Sequence, residues 1–193
     1  MTIKLLSIIG TRPQFIKAAA ISRAAKKLKI KHFIIDTGQH YSKNMSFSFV
    51  KELEFERIDY FLKINKKQPI SQISEIMKKL ELLIPKLNPN FVIVYGDTNS
   101  TLAASIVCSK LNKKIAHVEA GLRSENKKMQ EEINRILTDN VSSLLFTATK
   151  EATQNLLKEN FDKKKIYQLG DVMFDSIKYY EKRLKVLDDD YSL

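Results

Sequence analysis

Three observations predict a doubly wound, parallel α/β sheet of Rossmann-like type. Short apolar runs alternate with longer segments whose apolar residues recur every three or four positions. The central runs, such as Phe91-Val92-Ile93-Val94, are continuously apolar and partly β-branched, as strands covered on both faces should be. Glycines and charged or amide residues gather just after these runs, where the loops of an open α/β sheet converge on ligands.

Taken in chain order, residues 3–9 form the first strand, closed by Gly10, and residues 15–28 the first helix. A strand at 32–37 ends at Gly38, and a short helical segment spans 46–53. A weaker strand at 60–64 precedes a helix at 70–87, whose apolar residues keep helical spacing. The strand at 91–96 leads into a helix at 98–111, where Leu102, Ala103, Ile106, Val107 and Leu111 predict one buried stripe. Strands at 114–119, 144–147 and 166–169 then alternate with helices at 130–142, 150–160 and 174–186. Strand–helix alternation of this kind calls for parallel pairing with crossover helices. One domain over residues 1–175 accounts for the pattern, and 176–193 reads as a terminal helix with an acidic tail from Asp188 that frays.

Composition narrows the function. The 193 residues are 44% hydrophobic and 28% charged, ordinary globular usage that excludes disordered, collagen-like and coiled-coil chains. No apolar run approaches the ~20 residues of a membrane helix, and the opening run resembles no signal peptide, so a cytoplasmic protein without membrane attachment is expected. A single cysteine, Cys108, excludes an internal disulfide and any multi-cysteine metal site. No two histidines stand at ligand spacing, so no metal is expected. The 33 basic and 22 acidic residues leave a charge of +11, large enough to raise nucleic acid as a partner. The lysines, however, lie in short scattered runs at helix ends and turns, without interleaved aromatic residues. A solvated basic surface and no nucleic-acid partner are expected.

The candidate site lies in the strand-end loops: Gly10-Thr11-Arg12-Pro13-Gln14, Thr37-Gly38-Gln39-His40, Tyr95-Gly96-Asp97-Thr98, His117-Val118-Glu119-Ala120-Gly121-Leu122-Arg123 and Leu169-Gly170-Asp171. Turns need glycine, but they do not need recurring Arg, Asp and Glu. There is no G-x-x-x-x-G-K-[ST] and no G-x-G-x-x-G after the first strand, which argues against a P-loop NTPase or an NAD dehydrogenase. Arg12 beside the amino end of the first helix offers a place for a phosphate. Each residue also has a plainer reading. Asp97 suits a helix N-cap, Glu119 a buried pair with Arg123 or Arg135, and Glu131 with Arg135 a surface pair worth ~0.3–0.5 kcal/mol. His32, His117 and Cys108 read as packing residues, while His40 has a loop position suited to lining a site.

The first four of these motifs, with Gly10-Thr11-Arg12-Pro13-Gln14 continued through Phe15-Ile16-Lys17, and Glu131-Glu132-Ile133-Asn134-Arg135 resemble in order and interval the non-hydrolysing UDP-N-acetylglucosamine 2-epimerase family, from the first strand to about Asp175. The resemblance implies a two-domain fold like that of type B glycosyltransferases, with a nucleotide sugar between the domains. It implies inversion at C2 by anti elimination of UDP and re-addition to the glycal, with no cofactor. It assigns Asp97, Glu119 and Glu131 as catalytic carboxylates, and Arg12, Lys17, Gln39, His40, Arg123 and Arg135 as substrate contacts. Asn44-Met45-Ser46, Asn99-Ser100-Thr101-Leu102 and Gly170-Asp171-Val172-Met173 lean towards the branch acting on UDP-2,3-diacetamido-2,3-dideoxyglucuronate. Gln130 and Ala20 stand where the family usually has proline, and the family's second, nucleotide-binding domain is expected to be absent from this chain. The expectation is a UDP-sugar 2-epimerase half that needs a complementing C-terminal-domain chain; a homodimer through the helix at 70–87 is a further expectation. A non-catalytic UDP-sugar-binding fragment, a glycosyltransferase half-domain and a misfolded relic are the competing readings.

Overall fold

A computed structural model of the chain describes residues 3–39, 53 and 57–191. His40 and, apart from Leu53, the helix expected at 46–53 lie outside the described residues. The element order is β1 (Lys4–Ile9), α1 (Arg12–Lys27), β2 (Lys31–Asp36), β3 (Tyr60–Phe61), α2 (Pro69–Leu87), β4 (Phe91–Tyr95), α3 (Asn99–Lys110), β5 (Lys114–Val118), α4 (Gln130–Val141), β6 (Leu144–Thr147), α5 (Lys150–Lys158), β7 (Ile166–Gln168) and α6 (Val172–Tyr191). The strands form one seven-stranded sheet in the order β3-β2-β1-β4-β5-β6-β7, every pair parallel. The winding reverses between β1 and β4, which places a topological switch point at their carboxyl ends.

Helix α1 starts three residues before its expected position because the loop itself supplies the start. Thr11 is the extended N-cap and Pro13 sits in the first turn, where its missing N–H costs nothing. The Gln14 side chain accepts from the Thr11 N–H at 3.2 Å. At the other end of the chain, α6 runs to Tyr191, past the expected stop at Val186.

One sheet face is covered by α2 and α3 over its middle strands and by α5, through Leu156, over Leu145 of β6. Leu6, Ile8, Val92, Val94 and Ile115 from the strands meet Ile76, Leu80 and Ile84 of α2 and Ala103, Val107 and Cys108 of α3. The α2 residues repeat every four positions, so that helix behaves as its pattern predicts. Helix α3 does not carry a single stripe. Ser100, Thr101, Ala104, Ser105 and Cys108 are buried along with Leu102, Ala103 and Val107, because α3 is hemmed in by the sheet, α2 and α4. Its small residues permit that approach on several sides. Cys108 is part of this packing, and burial pushes its thiol up to about 12.

The opposite face is covered by α1 and α6 alone among the described helices. Ile9, Ile34, Ile93 and Ala116 pack there with Phe15, Ala18 and Ala19 of α1. Helix α6 lies against α1: Ser176 donates to the Ile16 carbonyl at 3.2 Å, and the Arg23 guanidinium stands 4.1 Å from the centre of the Tyr179 ring. The expectation of strands enclosed on both faces therefore holds for the carboxyl-terminal parts of β1 and β2, residues 6–9 and 34–36, but not for β5 and β6, whose α1-side residues Val118, Leu144 and Phe146 are only half-buried.

Two buried groups near this sheet titrate in opposite senses. Burial raises the Asp36 carboxyl to about 6 against the opposing hydrogen bond from the Gly38 N–H. Burial likewise lowers His32 to about 4 although Asp59 pulls the other way. The raised carboxyl contributes stability below its unfolded value that is lost as pH rises towards 6. The lowered imidazole contributes stability above about 6.5 that is lost as pH falls towards 4. Their effects oppose each other across pH 4–6. Asp36→Asn keeps an acceptor for Gly38 while removing the carboxyl. It should raise stability at pH 7 by up to about 3 kcal/mol and leave a stability that climbs with pH from 4 to 6.5, as read from urea unfolding at several pH values.

Candidate functional site

At the switch point the carboxyl ends of β1, β4 and β5 enclose a cavity of about 190 Å³. Lys17 enters it from α1, Asp97 from the loop after β4, Glu119 from the end of β5 and Arg135 from α4. The four form two ion pairs, Lys17 Nζ with Glu119 Oε2 and Arg135 Nη2 with Asp97 Oδ2. The cations are the more enclosed partners: the Lys17 side chain is 8% exposed and that of Arg135 14%, against 29% for Glu119 and 32% for Asp97. Two carboxylates thus face the cavity with their cations set behind them.

The backbone that presents Glu119 is constrained. Its φ is +72°, a region that costs a non-glycine residue about 1 kcal/mol or more. The surroundings hold it there, since the N–H groups of both Glu119 and Ala120 donate to the Phe146 carbonyl at 3.0 Å. Gly96, at φ +60°, faces the carboxylate, and a Cβ at that position would stand 3.1 Å from Glu119 Oε2.

Behind the cavity, a set of buried polar groups fixes the loops. Gln14, 3% exposed, accepts from the Gly10 N–H at 2.8 Å and donates to the Tyr95 carbonyl at 2.7 Å and to Thr98 Oγ1 at 2.9 Å. One side chain therefore ties the end of β1 to the end of β4. Thr98, and not Asp97, is the N-cap of α3. Asn134 donates to the Asp97 carbonyl at 2.8 Å. Asp139, fully enclosed, holds the other loop: Oδ1 meets His117 Nδ1 at 2.6 Å, and Oδ2 accepts from the Gly121 N–H at 3.2 Å and from Arg123 at 2.8 Å. His117 Nε2 donates to the Gly96 carbonyl at 2.8 Å, so the turns that carry Asp97 and Glu119 share one anchor. Glu132 accepts from the Ser124 and Glu125 N–H groups at 2.9 and 3.0 Å. Burial alone would raise its carboxyl, but those amides and Arg135 outweigh it and hold it below the usual carboxylate range.

Of the residues singled out in the sequence, Asp97, Glu119, Lys17 and Arg135 come together in the cavity. Glu119 pairs with Lys17, not with Arg123 or Arg135. Glu131 is exposed in the first turn of α4 and does not line the cavity. Arg12 is exposed at the start of α1, also outside the lining. The Gly10 and Thr11 amides beside it are already taken by Gln14, so that helix end has fewer free donors for a phosphate than the sequence implies. Gln39 spends its side-chain oxygen on Ser100, whose N–H and hydroxyl donate at 2.9 and 2.7 Å. Arg123 is not brought to the cavity. It forks onto Glu159 at 2.7 and 2.8 Å, and its remaining terminal nitrogen serves Asp139 and the Leu122 carbonyl. Gln14, Glu132, Asn134 and Asp139 were not among the sequence candidates. Glu132, Arg135 and Asp139 at helical spacing form a polar stripe facing inward, which was the legible sign of α4's role.

Among the described residues no group of three or more His, Cys, Asp or Glu is placed to hold a metal ion. No described helix is long and apolar enough to cross a membrane.

A family model described as UDP-N-acetylglucosamine 2-epimerase matches residues 22–191. The chain belongs to this family. A UDP-N-acetylglucosamine 2-epimerase homolog of Methanococcus maripaludis is 47% identical over 191 residues, covering 96% of this chain and 53% of the relative. A UDP-2,3-diacetamido-2,3-dideoxy-D-glucuronate 2-epimerase of Pseudomonas aeruginosa is 47% identical over 183 residues, covering 93% of this chain and 52% of the relative. The crystal structure of the Methanocaldococcus jannaschii UDP-GlcNAc 2-epimerase in complex with UDP-GlcNAc and UDP superposes with a TM-score of 0.87 at 44% identity, over 90% of this chain and 48% of that one. The chain thus spans about half the length of the epimerases it matches.

Proposed function

We propose that this chain is the carboxylate-bearing half of a UDP-N-acetylglucosamine 2-epimerase. The observation that carries the reading is the pairing of Glu119 with Lys17 and Asp97 with Arg135 in one cavity at the switch point. Inversion at C2 by elimination of UDP needs a group to take the C2 proton and a group to return one on the other face. Two carboxylates held by different cations, Lys17 for Glu119 and Arg135 for Asp97, suit that division of labour. Glu119 and Asp97 are the groups we assign to proton transfer, Lys17 and Arg135 those that hold them and meet the sugar nucleotide's charge. Glu131 remains a candidate third carboxylate, brought in when the second half closes on α4.

The cavity also argues for a second wall. At about 190 Å³ it is smaller than the ~300–1,000 Å³ of sites that bury a drug-sized ligand. It suits the sugar end of a UDP-sugar, leaving uridine and diphosphate to a second wall. The second wall we propose is the half of the relatives' length that lies beyond the matched region, in a cytoplasmic setting where UDP-sugars are made and used. A second reading of the substrate, UDP-2,3-diacetamido-2,3-dideoxyglucuronate, is favoured by the 47% identity to the Pseudomonas aeruginosa enzyme.

The test is conversion of each UDP-sugar to its C2 epimer by the purified chain, alone and mixed with the second half of the Methanococcus maripaludis homolog expressed separately. Turnover of one sugar only in the mixture is expected and names the substrate. No turnover of either sugar in a mixture shown to form a complex would count against the reading.

A further inference from the structure

Two residues of α4 hold Asp97. Asn134 donates to its main-chain carbonyl at 2.8 Å, and Arg135 Nη2 pairs with its carboxylate. What holds Arg135 lies one turn back. Glu132 Oε2 accepts from Arg135 Nη1 at 3.1 Å, across the i,i+3 spacing that puts both side chains on one helix face. Glu132 is 1% exposed and lies outside the cavity lining, so it has no access to a substrate there. Its oxygens are fully committed: Oε2 also takes the Ser124 N–H at 2.9 Å, and Oε1 takes the Glu125 N–H at 3.0 Å. Every one of these partners is a donor, so both oxygens accept and the carboxyl carries no proton. A glutamine could not stand in, because its NH₂ would meet an N–H whichever way the amide turned. Helix capping does not account for the arrangement either. A capping box would turn this side chain back to the Met129 N–H, but that N–H donates to the Asn126 carbonyl and Glu132 reaches past it.

We infer that Glu132 is a positioning residue of the epimerase site, fixing the Arg135 guanidinium so that Nη2 meets Asp97 and tying that orientation to the loop at 122–129. The inference rests on the assignment of Asp97 to proton transfer. A guanidinium is planar, so pinning Nη1 sets the direction in which Nη2 points. Without Glu132, Arg135 would keep Asp97 as its carboxylate partner in this cluster, and that side chain is 32% exposed. An ion pair so open to water holds two long side chains weakly, and the pair would swing as a unit. Glu132 supplies the fixed end, because backbone amides on the far side of the loop hold it in place. Loop, cation and reacting carboxylate therefore form one chain of contacts, Ser124 and Glu125 to Glu132, Glu132 to Arg135, and Arg135 to Asp97.

Two readouts test this. The first needs no substrate: side-chain nitrogen–proton NMR of the full 193-residue chain reports whether the Arg135 guanidinium is held or rotates freely, with its signal identified by Arg135→Lys. The second is kcat and KM for the UDP-sugar, with the chain combined with the separately expressed second half of the Methanococcus maripaludis homolog. Glu132→Gln is compared with Ile84→Ala, a truncation of a fully buried α2 residue outside the cavity lining that controls for general loosening. Circular dichroism confirms that each variant is folded, and Glu132→Asp, which keeps the charge on a shorter arm, serves where the glutamine variant is not. Glu132→Gln should release the guanidinium and lower kcat at least tenfold, with KM rising less than kcat falls. Glu132→Asp should release it in part and lower kcat at least threefold, and Ile84→Ala should leave Arg135 held and kcat within twofold. An Arg135 signal unchanged in a folded Glu132 variant would overturn the inference, as would an unchanged kcat. So would equal release in Ile84→Ala, since Arg135 would then report loosening of the whole fold. A guanidinium released by Glu132→Gln alone, in an assembly whose unaltered form shows no turnover, would leave the positioning of Arg135 standing and count against the proposed function instead.

Discussion

Replacing Asp139 with alanine should destabilise the chain by about 3–5 kcal/mol, the loss that follows when one partner of a buried ionic cluster is removed. Asp139 has no solvent exposure, and neither does His117. Without the carboxylate, His117 Nδ1, the Gly121 N–H and an Arg123 N–H all lose their acceptor inside the protein. Asp139→Asn retains an acceptor and should cost less, about 1–3 kcal/mol. Urea unfolding with a constant slope would measure both, and the alanine loss is large against a total stability of about 5–15 kcal/mol. The effect should reach the site, because the same carboxylate anchors His117 against the Gly96 carbonyl and the Gly121 turn that follows Glu119. A cost below about 1 kcal/mol would mean that the cluster is not what holds these two loops.

The second large effect is chemical. Glu119→Gln in the assembled enzyme should lower turnover by about 10²–10⁴-fold, the usual contribution of a positioned acid or base, with KM changed far less. The amide is close in shape to the carboxylate and can still accept from Lys17, so the fold should survive. Asp97→Asn should lower turnover as well, and loss of the Arg135 pair should add some loss of binding. Equal loss of kcat/KM through KM alone would make Glu119 a binding group and not a reacting one.

The strand–helix order was legible because the two periods are distinct in this chain: β6 occupies the four residues its apolar run predicts, and β4, β5 and β7 each end one residue early. Helix α3 departs from the single stripe because helical periodicity places Ser100, Thr101 and Ser105 on an outer face, whereas all three are buried. Small polar residues can hydrogen-bond within their own helix and be buried, as Ser105 does by donating to the Thr101 carbonyl at 2.8 Å. The half-burial of Val118, Leu144 and Phe146 among the described residues was invisible for a related reason. An apolar strand reads the same whether its cover lies in this chain or in another.

The site was legible where charge recurs at strand ends, and it was blurred where one motif contains two neighbouring acids or several arginines. Glu131 and Glu132 are adjacent, yet only Glu132 is buried and bonded to backbone amides. Arg123 and Arg135 read alike in sequence, but Arg123 lies beside α5 and is consumed by Glu159, whereas Arg135 reaches Asp97. Which member of such a pair turns inward depends on helix phase and on partners distant in sequence, neither of which a motif records.

The most direct test of the central claim is deuterium incorporation at C2 of UDP-N-acetylglucosamine, followed by NMR in D₂O, for this chain combined with a complementing second half. Exchange that disappears in Glu119→Gln, while UDP-sugar binding persists, is the predicted result, since C2 proton transfer would then depend on a carboxylate supplied by this half. Exchange at an undiminished rate in both Glu119→Gln and Asp97→Asn would contradict it, because the reacting groups would have to lie outside the switch-point cavity.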